Sequence, residues 1–368
     1  MAANGTDIIQ RTDKPYDLID GASPAGFELM EDVENRKRII KNPEFPIEER
    51  LEAFEDVIDS EVGDTTLYRA RNIEREIGFR QIYLKYEGGN PTGTQKDRIA
   101  FAQVLDALRR GFDTISLATC GNYGAACALA ASISGINCKI FVPQNYDTKR
   151  IDEMTSMGAN VTRVDGDYEQ AVETASSDAK KNENYDANPG GDNVMLQFKA
   201  YGEIAYEIYD ELRDAPKIIA VPVSNGTTLA GIHKGFVSLY RRGKTSRIPR
   251  FIAGSSFKKN PIVQAVKLNK ETCEDLIPDR IKESKINEPL INWHSIDGDF
   301  ALQAIKSSDG WAEDATDKEM LSYSKMIRDR EGISVIPAST AGLVALVNYN
   351  KQTALSNDKF VVIITGRK

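Results

Sequence analysis

Short alternating runs and helical spacings of apolar residues follow one another along most of this chain. Ile82-Tyr83-Leu84-Lys85-Tyr86-Glu87 alternates as a strand does, and Phe101, Val104, Leu105 and Leu108 then mark one helix face. Thr114 to Thr119 reads as a short buried strand, followed by a small-residue helix from Ala125 to Ala131. A strand over Cys138 to Val142 stops at Pro143, a helix spans about Arg150 to Met157, and a strand covers Val161 to Val164. A helix from Tyr168 to Lys180 closes that block. The second half repeats the scheme on a larger scale. Helices are predicted over Tyr201 to Leu212, through Ile232, over Asp317 to Arg330 and over Ser339 to Tyr349. Strands are predicted at Ile218 to Val223, Phe251 to Ser255, Ile333 to Ile336 and Phe360 to Ile364. Strands alternating with helices imply an α/β fold with parallel-type sheets covered on both faces. Residues 101–185 read as a small α/β domain, and 61–100 with 186–368 as a larger one. Residues 1–60 are charge-dense and contain a helix-like stretch from Ile47 to Phe54. They form an N-terminal arm that either packs on the body or a partner subunit, or decorates the surface.

Composition narrows the class. At 368 residues the chain has room for two domains with cores of their own. Its 47 basic and 55 acidic side chains give a net charge of -8, which disfavours a nucleic-acid or anionic-membrane partner. No stretch has the apolar length of a membrane span, and no secretory signal is visible, so the cytoplasm is the expected compartment. Cys120, Cys127, Cys138 and Cys273 lack metal-ligand spacing. With only His233 and His294 present, neither a histidine triad nor a histidine metal site is expected.

Chemistry concentrates in Asn90-Pro91-Thr92-Gly93-Thr94-Gln95-Lys96-Asp97-Arg98. This Gly/Pro-marked turn opens into the Phe101 helix, with Thr94 placed to cap it. Lys96 therefore faces the positive end of a helix dipole, which favours its neutral amine. A neutral amine is what a Schiff base with an aldehyde requires. A lone lysine in a first turn is more often a surface residue; two further loops change that weighting. Thr119-Cys120-Gly121-Asn122-Tyr123-Gly124 joins a strand to a helix and offers an amide to a ring oxygen. Ser224-Asn225-Gly226-Thr227-Thr228 presents hydroxyls and backbone N–H groups at a helix start, an anion cradle. Both sit where strands end at their carboxyl edge, the place where open parallel sheets bind ligands. Each loop alone is a weak signal. Together they point to one cofactor carrying an aldehyde, a ring hydroxyl and a phosphate.

These residues resemble the fold-type II pyridoxal-phosphate enzymes, the tryptophan synthase β family, and among them threonine synthases most. That group carries Leu-Lys-Tyr-Glu followed by Asn-Pro-Thr-Gly-Ser-Phe-Lys-Asp-Arg. Leu84 to Glu87 and Asn90 to Arg98 match it, with Thr94 and Gln95 replacing Ser and Phe. The resemblance extends from about Gly63 to Gly366. It implies two doubly wound domains with pyridoxal 5'-phosphate between them, and a homodimer. It further implies that Lys96 holds the cofactor, Asn122 bonds its ring oxygen, and Ser224, Asn225, Gly226, Thr227 and Thr228 cradle its phosphate. Thr365 would meet the ring nitrogen with a neutral hydroxyl, which suits elimination or replacement at Cβ or Cγ. Lys85, Thr119, Cys120, Gly121 and Tyr123 are the candidate substrate contacts.

Several positions depart from the threonine synthase pattern. Thr66 stands where proline is usual, Ser224 replaces a glycine, and Ile336-Pro337 lacks the preceding glutamate. Asn188-Pro189-Gly190-Gly191-Asp192-Asn193 lacks the arginine that receives a substrate phosphate in that group. The expected activity is threonine synthase-like, converting O-phosphohomoserine and water to threonine and phosphate. The alternative is β-elimination or β-replacement on a three-carbon or hydroxy amino acid, as in serine/threonine dehydratases or cysteate and cysteine synthases. A catalytically silent binding subunit would have no need of Lys96, Asn122 and Thr365 together. A nucleotide-binding protein would carry a GxGxxG or Walker lysine, and neither is present.

Overall fold

The computed structural model describes residues 34–119, 121–144, 146 and 150–368. Among these, ten strands form two sheets. Strands β1 (Leu67–Arg69), β2 (Ile82–Tyr86), β7 (Ile218–Pro222), β8 (Arg250–Ser256), β9 (Trp311–Ala315) and β10 (Phe360–Ile364) make a six-stranded sheet. Its order is β1-β2-β10-β7-β8-β9. All pairings are parallel except β1 with β2. Strands β3 (Thr114–Ala118), β4 (Asn137–Pro143), β5 (Asn160–Val164) and β6 (Tyr185–Asp186) make an all-parallel sheet of order β5-β4-β3-β6. β3, β7 and β10 are buried along their whole length, and β7 and β10 accordingly read as continuous apolar runs.

Six helices matter for the site: α1 (Ile47–Glu61), α2 (Lys96–Arg109), α3 (Asn122–Ser134), α4 (Tyr168–Lys181), α5 (Val194–Leu212) and α6 (Thr227–Arg241). The described part of the N-terminal arm is helical and packs on the body. Phe54 of α1 is fully buried and stacks on Phe101 of α2 with ring centroids 5.9 Å apart. α5 and α6 approach closely because glycines face each other. A Cβ at Gly235 would lie 2.5 Å from the Gly202 carbonyl, so larger residues there would push α6 off its seat. Among the described residues no helix is long and apolar enough to cross a membrane.

Two sequence expectations change. Ile333 to Ile336 is not a strand; Val335 makes one isolated bridge with Arg367. Gly332, at φ 76°, ends the preceding helix, and Pro337 opens a 3-10 turn, leaving no room for a ladder. Conversely, β9 was not anticipated, because Glu313 and Asp314 disguise it. Lys267 compensates those charges at 3.4 and 2.9 Å on the sheet edge.

Behind the lysine turn lies a buried ion cluster. Arg98 Nε and Nη2 donate to Glu87 at 2.6 and 3.0 Å. Its Nη1 and Nη2 donate to Glu207 of α5 at 2.6 and 2.9 Å. Lys85 of β2 donates to Glu207 at 2.5 Å and to the Thr65 carbonyl. Burial pushes the Glu207 carboxyl up, but Arg98 and then Lys85 outweigh it and hold it at about 2. The cluster ties the Gly63–Thr65 turn, β2, α2 and α5 into one block beneath Lys96.

Candidate active site

A cavity of about 370 Å³ opens between the two sheets. Lys96, Thr119, Gly121, Asn122, Tyr123, Ser224 to Thr228 and Thr365 all line it. Loops some 270 residues apart therefore converge as the sequence predicted.

Lys96 is the first residue of α2, but the N-cap position falls on Gln95, with no side-chain cap, and Thr94, one residue earlier, only accepts from the Lys96 N–H through Oγ1 at 3.2 Å. Loss of water around the amine lowers its pKa to about 8, against the opposing pull of Asp297 and Cys127. The Nζ stands 5.8 Å from the centre of the Tyr123 ring. Tyr123 is itself locked, donating from its hydroxyl to the Ala187 carbonyl at 2.7 Å.

The second loop turns tightly. Gly121 adopts φ 150°, and Thr119 Oγ1 accepts from the N–H groups of Gly121 and Gly124 at 3.0 and 3.1 Å. Thr119 thus shapes the turn, while Asn122 opens α3 with its side chain on the cavity. Cys120 lies outside the described residues.

The third loop begins α6. Gly226 occupies the N-cap at φ 92°, offers no side-chain cap, and leaves the first-turn N–H groups open to an anion. A Cβ there would sit 2.7 Å from Ala301 Cβ. Thr227 Oγ1 donates to Asp297 Oδ2 at 2.6 Å. Asn225 Oδ1 accepts from Asn292 at 2.8 Å, and the Ser224 carbonyl accepts from Asn260 at 2.9 Å. Asp297 is almost wholly buried, and burial raises its carboxyl pKa against the opposing pull of the Thr227 hydroxyl and Lys96. At the end of β10, Thr365 Oγ1 lies 3.1 Å from Ser339 Oγ, and the Thr365 carbonyl accepts from the Gln95 N–H at 3.0 Å.

One candidate is displaced. Lys85 does not line the cavity; it is 1% exposed and spends its ammonium on Glu207 and Thr65. Sequence reasoning also passed over Asp297, Ser339, Asn292 and Trp293. Asn292 and Trp293 come from an irregular segment, Asp297 stands just before a helix (Gly298–Ser307) and Ser339 lies in a 3-10 turn, and none of these local patterns marks a residue for the site.

An aldehyde-reactive lysine of lowered pKa, a helix start without a cap, and buried hydroxyl and amide donors around one cavity fit pyridoxal phosphate. The model of the family described as "Pyridoxal-phosphate dependent enzyme" matches residues 58–366. The chain belongs to that family. This pyridoxal-phosphate enzyme is 31% identical over 307 residues to a threonine synthase of Methanocaldococcus jannaschii, covering 82% of this chain and 74% of that one. Its fold resembles that of maize serine racemase, with a TM-score of 0.70 at 18% identity over 86% of this chain and 92% of the other. A processed threonine deaminase isoform 2 from Solanum lycopersicum superposes with a TM-score of 0.68 at 17% identity, covering 86% and 89%. The enzyme uses pyridoxal 5'-phosphate as its cofactor.

Proposed function

We propose that this enzyme catalyses elimination or replacement on an amino acid with a leaving group at Cβ or Cγ. The observation that carries the reading is Lys96, its pKa lowered to about 8, sharing one cavity with Asn122, the 224–228 cradle and Thr365. When bound, the cofactor supplies an electron sink for an amino acid that loses its Cα proton. The first-turn N–H groups of α6, with Ser224 to Thr228, would hold the phosphate. Asn122 would donate to the ring oxygen. Thr365, paired with Ser339 at 3.1 Å, would meet the ring nitrogen with a neutral hydroxyl, which would favour expulsion of the leaving group. Lys96 holds the cofactor and then moves protons at the substrate as general base and acid. Thr119 to Tyr123 present the start of α3 to the substrate carboxylate.

The threonine synthase-like reaction, O-phosphohomoserine and water to threonine and phosphate, is supported by the lysine turn and the archaeal relative. A second reading, β-elimination or replacement on a three-carbon or hydroxy amino acid, has one observation in its favour. Among the described lining residues Lys96 is the sole basic side chain, so a substrate phosphate has no cation of its own. Absorbance of the purified protein tests both. The lysine-bound cofactor band should shift with O-phosphohomoserine and phosphate should be released, or it should shift with serine, threonine or O-phosphoserine instead. Lys96→Ala should abolish the band and turnover with the fold intact; turnover at the wild-type rate would refute the assignment. Sedimentation velocity tests the homodimer that the resemblance implies.

A further inference from the structure

Thr227 lines the cavity at the start of α6, and its one hydroxyl proton is already spent on Asp297 Oδ2 at 2.6 Å. A threonine hydroxyl donates once and otherwise accepts. An anion entering the cradle therefore meets the lone pairs of Thr227 for as long as Asp297 is a carboxylate. Resting on the reading of the 224–228 loop as the seat of the cofactor phosphate, we propose that Asp297 is a positioning residue that takes up a proton when the phosphate binds. That proton reverses the Asp297–Thr227 hydrogen bond and frees the Thr227 hydroxyl to donate to the phosphate.

The surroundings of Asp297 fit this role. It is 1% exposed and is not among the cavity-lining residues, so it stands behind Thr227 rather than against the anion. Its backbone is packed on the N-cap of α6: a Cβ on Gly226 would lie 3.3 Å from the Asp297 carbonyl, which holds carboxyl and cradle together. Only one carboxyl oxygen is engaged. Oδ1 makes no hydrogen bond, although the Gly190 N–H is near enough to favour the charged form slightly. An unpartnered oxygen is costly on a buried carboxylate and cheaper on a neutral carboxyl, whose proton then sits on Oδ2 and donates to Thr227 Oγ1. Lys96 of α2 is the charged group that faces Asp297; Thr227 faces it from α6 and Gly190 from the loop before α5. Asp299, two residues on, is taken up by the Cys273 N–H at 2.7 Å. Burial raises the Asp297 pKa in spite of Thr227 and Lys96, which brings protonation within reach.

The exchange moves protons alone. Solvent supplies one to Oδ2, that O–H donates to Thr227 Oγ1, and the Thr227 O–H turns from Oδ2 toward a phosphate oxygen. The first-turn N–H groups of α6 donate throughout, so the cradle keeps part of its affinity when Asp297 is charged.

The test compares pyridoxal 5'-phosphate with pyridoxal, which offers Lys96 the same aldehyde without the phosphate. Dissociation constants for both are measured by equilibrium dialysis of the full-chain apoprotein from about pH 7 to 9, where the phosphate, with a second pKa of about 6, is already a dianion. We expect the affinity advantage of the phosphorylated form to fall by up to about tenfold per pH unit, the slope of one proton taken up. Calorimetry in buffers of different ionisation enthalpy should count one more proton taken up with pyridoxal 5'-phosphate than with pyridoxal. Asp297→Asn, whose amide donates to Thr227 Oγ1 at every pH, should show a flat advantage and bind pyridoxal 5'-phosphate at least about tenfold more tightly than the wild type at the alkaline end. A flat advantage in the wild type, or a slope that survives in Asp297→Asn, overturns the proposal and leaves the cradle standing. Pyridoxal 5'-phosphate binding no more tightly than pyridoxal at any pH overturns the cradle reading and the proposal with it.

Discussion

Replacing Arg98 with methionine removes the cation between two buried carboxylates. Glu207 would keep Lys85, but Glu87, fully buried, would keep only the Thr65 hydroxyl at 2.7 Å and the Asn90 amide at 3.1 Å. Removing one member of a buried ion pair costs about 3–5 kcal/mol, because the partner charge is stranded rather than because the pair was strongly stabilising. Against a typical total of about 5–15 kcal/mol, that is a large share. The sign of the pH response follows. A carboxylate stranded without its cation is disfavoured in the folded state, so any proton uptake on folding would make the variant lose stability as pH rises above the ordinary carboxylate range. The wild type behaves oppositely at low pH. Its Glu207, held at about 2, contributes stability that is present above the unfolded carboxyl range and lost as pH falls toward 2. Urea unfolding of both apoproteins at pH 5.5 and pH 8, followed by tryptophan fluorescence, reads the difference. Arg98→Met/Glu87→Gln should recover at least half of the loss, since the stranded charge is gone. A loss below about 1 kcal/mol, or one that is pH-independent and not rescued by Glu87→Gln, would refute the stranded-charge argument, whose predicted cost is about 3–5 kcal/mol.

Three further outcomes are expected. Because Lys96 titrates near 8 when folded and near its ordinary value of 10.5 when unfolded, the unfolded apoprotein holds the extra proton between those values. Apoprotein stability should therefore gain a rising component with pH across that window, absent from Lys96→Met, in paired denaturation series. Gly226→Ala forces a side chain onto Ala301 at a positive φ, and should destabilise the protein by about 1–3 kcal/mol and weaken cofactor binding by equilibrium dialysis. Thr227→Asp sets a second carboxylate beside Asp297 in the phosphate cradle; cofactor affinity should fall at least about tenfold, and an unchanged affinity would count against that loop.

The parts of this molecule legible in the sequence are those encoded locally. Phe360 to Ile364 could only be a buried strand, and Gly93 to Lys96 spelled a turn entering a helix. What escaped was encoded at a distance. Lys85 alternates like a solvent-facing residue, and only Glu207, 122 positions later, turns it into a buried ion. Asp297 meets the Thr227 hydroxyl 70 positions earlier, from the start of a helix (Gly298–Ser307) whose period says nothing of that contact. β9 was hidden because its acidic residues find Lys267 only after folding. The cavity walls follow the same rule, since Asp167 and Trp293 meet across the cavity, 126 positions apart.

The place of β10 in the large sheet has a consequence in time. It lies between β2 and β7, so those two strands have nothing joining them until residues 360–364 arrive. At a synthesis rate of about 5–20 residues per second, β2 waits roughly 15–55 seconds for its neighbour. Lys96 leaves the ribosome early, yet Thr365, which lines the same cavity, comes near the end of the residues described. The nascent chain therefore carries Lys96 as an ordinary solvated lysine, and the burial that lowers its pKa comes only with folding.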